Sequence, residues 1–261
     1  GVPIQLAHDI VLLLRFTSAS PQPGNDLKGL EGHSAYMQDL RARVEQVARS
    51  DHDVLVLGET GTGKELVAEA IHQGSARSGA PLITVNMAAI PPSLAAAELF
   101  GAVKGAYTGA TGDKEGYFRS AQSGCLFLDE VGDTPAEIQP QLLRAIQQRE
   151  VQVVGGATEH PDIRVISATD AAVEDSDSGF KAALRHRLGA LEVHLAALRE
   201  HPEDIGTLAI FFFSQALAKE GREGLIPDVE TDAREVAAWA RLFYDFLCYH
   251  WPGNIRQLRN V

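Results

Sequence analysis

Apolar residues along this chain change their period in an ordered way. Short apolar runs stand at 54–57, 82–85, 125–128, 163–167 and 191–195 and read as buried strands. Between them apolar positions recur at three- and four-residue intervals, as in Met37, Leu40, Val44 and Val47, or Val67, Ala70 and Ile71, which is helical spacing. Strand and helix in alternation predict an α/β fold, a doubly wound parallel five-stranded sheet with ligand sites at the carboxyl ends of its strands. Beyond Pro202 the pattern is helical only, over Ile205 to Lys219 and Thr231 to Tyr249, and predicts a small helical lid. Residues 17–26 (TSASPQPGND) have the small, polar, proline-bearing composition of a linker. The expected division is therefore a head and linker over 1–26, an α/β domain over 27–200 and the lid over 201–261. The head, Val2 to Phe16, reads as the last strand of a preceding sensor domain, and Gly1 in place of Met reads as an excised piece of a longer protein.

Composition narrows the function classes. With 45% hydrophobic and 22% charged residues, 261 residues suffice for one large core and a small second domain. No apolar run approaches the roughly 18 residues of a membrane span, and no signal peptide is recognisable, so a cytoplasmic protein without membrane attachment is expected. The net charge of −12 argues against duplex DNA binding by this chain itself, because such binding needs Lys and Arg against phosphates. Two cysteines, Cys125 and Cys248, offer neither a disulfide framework nor a metal spacing and read as buried inert thiols. Nine scattered histidines read as surface or capping residues.

Chemistry is concentrated at two strand ends. Directly behind the run Val54–Leu57 comes Gly58-Glu59-Thr60-Gly61-Thr62-Gly63-Lys64-Glu65, followed by a helical pattern. This strand, glycine-rich turn and helix N-terminus form a phosphate-binding loop. Glycines let backbone N–H groups close on the β- and γ-phosphates of a nucleoside triphosphate, the helix dipole favours the negative charge, and Lys64 reaches the terminal oxygens. The residue after the lysine is commonly Ser or Thr, whose hydroxyl meets Mg²⁺; here it is Glu65. Further on, the apolar strand Cys125–Leu128 delivers Asp129 and Glu130. This is the Walker B arrangement: Asp129 can hold Mg²⁺ through its water shell, and Glu130 can polarise the attacking water as general base.

Between these motifs lies Glu98-Leu99-Phe100-Gly101 and then Gly105-Ala106-Tyr107-Thr108-Gly109-Ala110. From residue chemistry alone this is a flexible loop with an exposed tyrosine, its glycines permitting sharp reversals around one ring. Together with GETGTGKE, it closely resembles the AAA+ module of the sigma-54-dependent transcription activators, the bacterial enhancer-binding proteins. Their contact loop usually reads GAFTGA, with Tyr107 here replacing the phenylalanine.

The resemblance extends over residues 27–261 and implies further roles. Leu30-Glu31-Gly32-His33-Ser34 is similar to the segment lying along the adenine, which makes Gly32 a base-pocket residue. Asn86 corresponds to an asparagine that switches the Walker B glutamate, although a strand-end asparagine satisfying a turn is the alternative. Gln139–Arg144 and Gly155-Gly156 resemble a second insertion and its helix. In Trp251-Pro252-Gly253-Asn254-Ile255-Arg256, Arg256 is placed as the sensor II residue. Thr169 closes the sensor I strand, but Asp170 follows where the family has Asn, adding negative charge unless it pairs or points away. The family's two trans-acting arginines fall on Lys181 and Arg187; lysine keeps the charge without the planar fork.

The resemblance thus implies ATP and Mg²⁺ as cofactors, with Asp129 and, indirectly, Glu65 at the metal. It further implies a homo-oligomeric ring, a hexamer, and sigma-54 with RNA polymerase holoenzyme as partners. DNA reading is expected in sequence beyond Val261. Two other functions stay open at this point, a nucleotide-binding scaffold with weak or no hydrolysis and an AAA+ remodeller of a different target.

Overall fold

The structure is a computed structural model that describes residues 2–7, 10–14, 27, 29–107, 109, 111–170, 191–222 and 233–261; residues 2–14 and 233–236 are described by backbone alone. The chain divides into two compact units, Leu40–Ala196 and a second made of Gly1–Asp39 with Ala197–Val261.

The first unit is built on a five-stranded parallel sheet of β3 (Val54–Gly58), β4 (Leu82–Asn86), β5 (Cys125–Asp129), β8 (Arg164–Thr169) and β9 (Glu192–Leu195), in the order β4-β5-β8-β3-β9. All five predicted runs are strands. The inner three, β5, β8 and β3, each with a strand on either side, are buried almost throughout. Strand β4, in contrast, has one neighbour, and its Leu82 and Ile83 are half-buried and Thr84 exposed, because it is the sheet's edge rather than an interior strand. Helix α1 (Ala35–Ala48) precedes β3, and α2 (Lys64–Gln73), α3 (Pro92–Phe100), α4 (Tyr117–Ser120) and α5 (Gln139–Gln148) lie between the strands in sequence. The core joins Leu55 and Leu57 of β3, Leu126 and Leu128 of β5, Leu99 of α3, Phe118 of α4 and Leu142 of α5. A short antiparallel pair, β6 (Val151–Gln152) and β7 (Thr158–Glu159), follows α5.

Arg164, the first residue of β8, is fully buried. Its guanidinium donates to Val47 O at 2.8 Å and Ala48 O at 3.3 Å at the C-terminus of α1 and to His52 O at 3.0 Å in the turn that follows. Burial pushes its pKa down from the arginine norm.

The second unit contains a two-stranded antiparallel pair, β1 (Val2–Ala7) and β2 (Ile10–Leu14), where the head was read as one strand. It also holds α6 (Ile205–Glu220), α7 (Ala233–Cys248) and α8 (Asn254–Arg259), which bear out the helical pattern after Pro202. Their core is Leu198, Ile205, Leu208, Ala209, Phe246, Trp251 and Leu258. The division differs from the one expected: residues 27–39 and 197–200 group with the helices. Asp204 is the physical reason, since its Oδ1 accepts both His33 N–H and Ser34 N–H at 2.8 Å. Two sequence readings are corrected here. Cys125 is buried but Cys248 is exposed, and His72 and His201 are buried rather than superficial.

Candidate nucleotide-binding site

Strand β3 ends at Gly58, where space is the constraint: a Cβ there would stand 2.8 Å from Leu195 Cβ and 2.9 Å from Thr62 Oγ1. The chain then turns through residues 59–63. Thr62 Oγ1 donates to Glu59 O at 2.8 Å, and Gly61 and Gly63 take φ of 83° and 101°, conformations that side chains resist. Lys64 opens α2 with Gly63 as its N-cap residue, so no side chain caps the first turn. Helix N–H groups there are the donors that an anion can use. Lys64 is buried, with Nζ donating to Gly58 O at 2.9 Å and lying 3.6 Å from Glu130 Oε1. Glu59 is half-buried, Thr60 exposed, and Glu65 exposed on the first turn of α2.

Strand β5 delivers Asp129 and Glu130. Glu130 has φ 50° and ψ 44°, a left-handed conformation that costs a non-glycine residue about 1–3 kcal/mol. Its N–H donates to Asp129 Oδ1 at 3.0 Å, and the next residue, Val131, is fully buried. The anchored valine and this hydrogen bond hold the reversal that places both carboxylates at the strand end. One Asp129 oxygen is thereby committed. A single carboxylate suits Mg²⁺, which keeps several waters and takes few protein oxygens, so the donor set fits the metal. Among the described residues no group of three or more His, Cys, Asp or Glu is arranged as a metal cage.

Sheet order completes the arrangement. Strand β8 lies between β3 and β5, with Thr169 paired to Leu57 in register and Asn86 paired to Asp129. Gly58, Glu130 and Thr169 therefore stand at neighbouring strand ends although far apart in sequence. Thr169 is buried, and its hydroxyl is 3.4 Å from Asp170 Oδ1, a long contact that nonetheless pairs the unexpected carboxylate with a neighbour. Asn86 Oδ1 accepts Ala88 N–H at 2.9 Å and caps the turn Met87–Ala89. The side chain thus has the turn-satisfying contact, while Glu130 lies with Lys64.

The excursion from Gly101 to Gly116 springs from the same unit. Gly116 is required at its base, since a Cβ would come within 2.3 Å of Gly101 N. Ala102 pairs antiparallel with Lys114 and parallel with Val154, and Val103 N–H donates to Val154 O at 3.1 Å. Glu98 and Lys114 form an ion pair across the stem, which holds the Lys114 pKa above its ordinary value. At the tip Gly105 and Gly109 have φ of 82° and 104°, Ala106 is half-buried, and Tyr107 is exposed. Thr108 and Ala110 lie outside the described residues, as do Lys181 and Arg187.

In the helical unit Gly32 has φ 135°, and a Cβ there would stand 2.7 Å from Met37 Cγ and 3.0 Å from Asp204 Oδ1. Arg256 is exposed on α8. The preceding turn is anchored by Trp251 Nε1–H donating to Phe246 O at 2.7 Å and by Asn254 Oδ1 accepting Leu198 N–H at 2.9 Å.

Residues 30–194 match the sigma-54 interaction domain. The chain belongs to that family. It is 45% identical over 232 residues to the DNA-binding transcriptional activator HyfR of Escherichia coli K12, covering 87% of this chain and 33% of that protein. It is 44% identical over 233 residues to the DNA-binding transcriptional regulator NtrC of the same organism, covering 88% and 47%. A crystal structure of NtrX from Brucella abortus in complex with ATP superimposes with a TM-score of 0.76 at 35% identity, covering 89% of this chain and 51% of that one. The chain thus spans a third to about half the length of these relatives. Its five-stranded parallel sheet, with the glycine-rich turn between β3 and α2, is the α/β fold expected from the sequence. Among the described residues no helix is long and apolar enough to cross a membrane.

Sequence reasoning missed three residues on which this geometry depends: Arg164, Asp204 and His201. Arg164 had one signal, a cation heading an apolar strand. Asp204 and His201 had none, because their partners at 33, 34 and 36 are distant in sequence.

Proposed function

We propose that the chain hydrolyses ATP and uses the cycle to activate RNA polymerase carrying sigma-54. The observation that supports it most is Lys64 Nζ 3.6 Å from Glu130 Oε1, beyond the ends of β3 and β5, in a unit that also presents exposed Tyr107. Gly58, Gly61, Gly63 and the first turn of α2 cradle the β- and γ-phosphates, with Thr60 and Thr62 shaping the loop, and Lys64 neutralises the terminal oxygens. Asp129 would hold Mg²⁺ through water, with Glu65 indirect, and the metal would supply charge neutralisation at the phosphate oxygens. Glu130 accepts the proton of the attacking water. Thr169 and Arg256 are assigned to nucleotide sensing, Gly32 to the base, and Asn86 to switching Glu130. Lys181 and Arg187 act on a neighbouring subunit's nucleotide in a homo-oligomeric ring, and residues 105–110 deliver the work to sigma-54, remodelling the closed promoter complex.

Binding of ATP with Mg²⁺ and release of phosphate, followed in the parent, Lys64→Ala and Glu130→Gln, test the chemistry. Lys64→Ala is expected to abolish binding. Glu130→Gln is expected to retain binding and lose about 10²- to 10⁴-fold in turnover. Equal loss of binding in both variants would make Glu130 structural. Binding without phosphate release in the parent would favour the scaffold function, for which Asp170 beside Thr169 provides a motive.

A further inference from the structure

Asp204 is fully buried, 170 residues from the segment it holds. Oδ1 accepts the N–H groups of His33 and Ser34, both at 2.8 Å, and Oδ2 lies 3.0 Å from His201 Nδ1. An ionised carboxylate only accepts, so His201 Nδ1 carries the hydrogen. The His201 ring is itself buried and lies on Tyr36, with centroids 4.7 Å apart and planes inclined by 32°. Gly32 closes against the same carboxylate and against Met37, leaving no room for a Cβ. Ser34 Oγ accepts Met37 N–H at 3.0 Å and starts α1. Residues 32–37 are thus fixed from three directions: two backbone hydrogen bonds to one carboxylate, one ring contact and one steric stop.

We propose that Asp204 and His201 are positioning residues for nucleobase recognition, fixing the backbone of Gly32 to Tyr36 in the conformation that reads the base. The inference rests on the assignment of Gly32 to the base pocket and deepens it. A base edge is recognised by donors and acceptors within a few tenths of an ångström of their places, and a glycine-bearing segment does not keep such places unaided. Neither side chain need touch the nucleotide. Their role is in discrimination between bases, separate from phosphate binding by residues 58–65.

The test is the ratio of dissociation constants for GTP and ATP, with inorganic tripolyphosphate as a probe without a base, in the parent, Asp204→Ala, Asp204→Asn and His201→Phe. Asp204→Ala is expected to lower the GTP-to-ATP ratio about tenfold or more, with tripolyphosphate affinity unchanged within about twofold. Asp204→Asn keeps an acceptor for the two N–H groups and is expected to restore most of the ratio. His201→Phe preserves a ring against Tyr36 but loses the donor, and an intermediate ratio is expected. A folded Asp204→Ala with the parent ratio overturns the inference. Should that variant fail to fold, a parent ratio in His201→Phe overturns it instead. A parent that binds ATP but does not discriminate it from GTP refutes the base-pocket assignment and the inference together.

Discussion

Single residues in this protein carry constraints out of proportion to their size. Glu130 occupies a left-handed conformation and still faces the Lys64 ammonium, and its strain is offset by the burial of Val131 and the hydrogen bond to Asp129. Arg164 is the opposite case, a fully buried cation whose only evident task is structural. Replacing it with alanine leaves the carbonyls of Val47, Ala48 and His52 without this donor and opens a cavity. A loss of about 3 kcal/mol or more is expected. Urea denaturation of the parent and Arg164→Ala measures it; a midpoint unchanged within error would show that water replaces the guanidinium at no cost.

Elements act through their junctions. The Gly101–Gly116 excursion is held at its base by a close backbone approach, by the Ala102 bridges to Lys114 and Val154, and by the Glu98–Lys114 pair. Gly116→Ala forces these strands of backbone apart, and an overpacking cost of about 1–3 kcal/mol is expected in thermal or denaturant unfolding. The tip is separable from the base. Tyr107→Ala removes an exposed ring away from the phosphate loop, so ATP turnover should stay within a few-fold of the parent while nucleotide-dependent association with sigma-54 is lost. Complex formation in the presence of a transition-state analogue decides this, and retained association in the alanine variant would exclude the ring as the contact.

On the scale of the whole molecule, two dependences follow, one on concentration and one on pH. If Arg187 completes a neighbour's site, specific activity rises with protein concentration, and Arg187→Ala suppresses turnover without weakening ATP binding. Lys181→Ala should cost less, because a point charge lacks the two-pronged contact. Concentration-independent activity with Arg187→Ala fully active would mean that one chain suffices. The pH dependence comes from Asp204. Burial raises its pKa, but the hydrogen bonds from His201 and from the backbone of Ser34 and His33 outweigh this and hold it below the ordinary aspartate range. A depressed carboxylate pKa contributes stability that is present above the unfolded value, about 4, and is lost as pH falls through the folded value. The parent should therefore lose stability in acid more steeply than Asp204→Asn, as measured by unfolding midpoints between pH 6 and 3; parallel curves would refute the linkage.

The five strands, the phosphate loop, the Walker B carboxylates and the helical pattern after Pro202 were legible in the sequence, because each is written in neighbouring residues: an apolar run, a glycine spacing, a helical period. Residue order likewise carried the family. Tertiary structure decided what depends on pairing between distant segments. It inserted β8 between β3 and β5 and so brought Thr169 beside the phosphate loop, made β4 an edge, and gave the Asn86 side chain a turn to cap. It also drew residues 27–39 to the helical unit through one buried carboxylate. The physical reason is the same in each case: strand order and buried polar pairing are set by which distant surfaces exclude water together, and no local period records that choice.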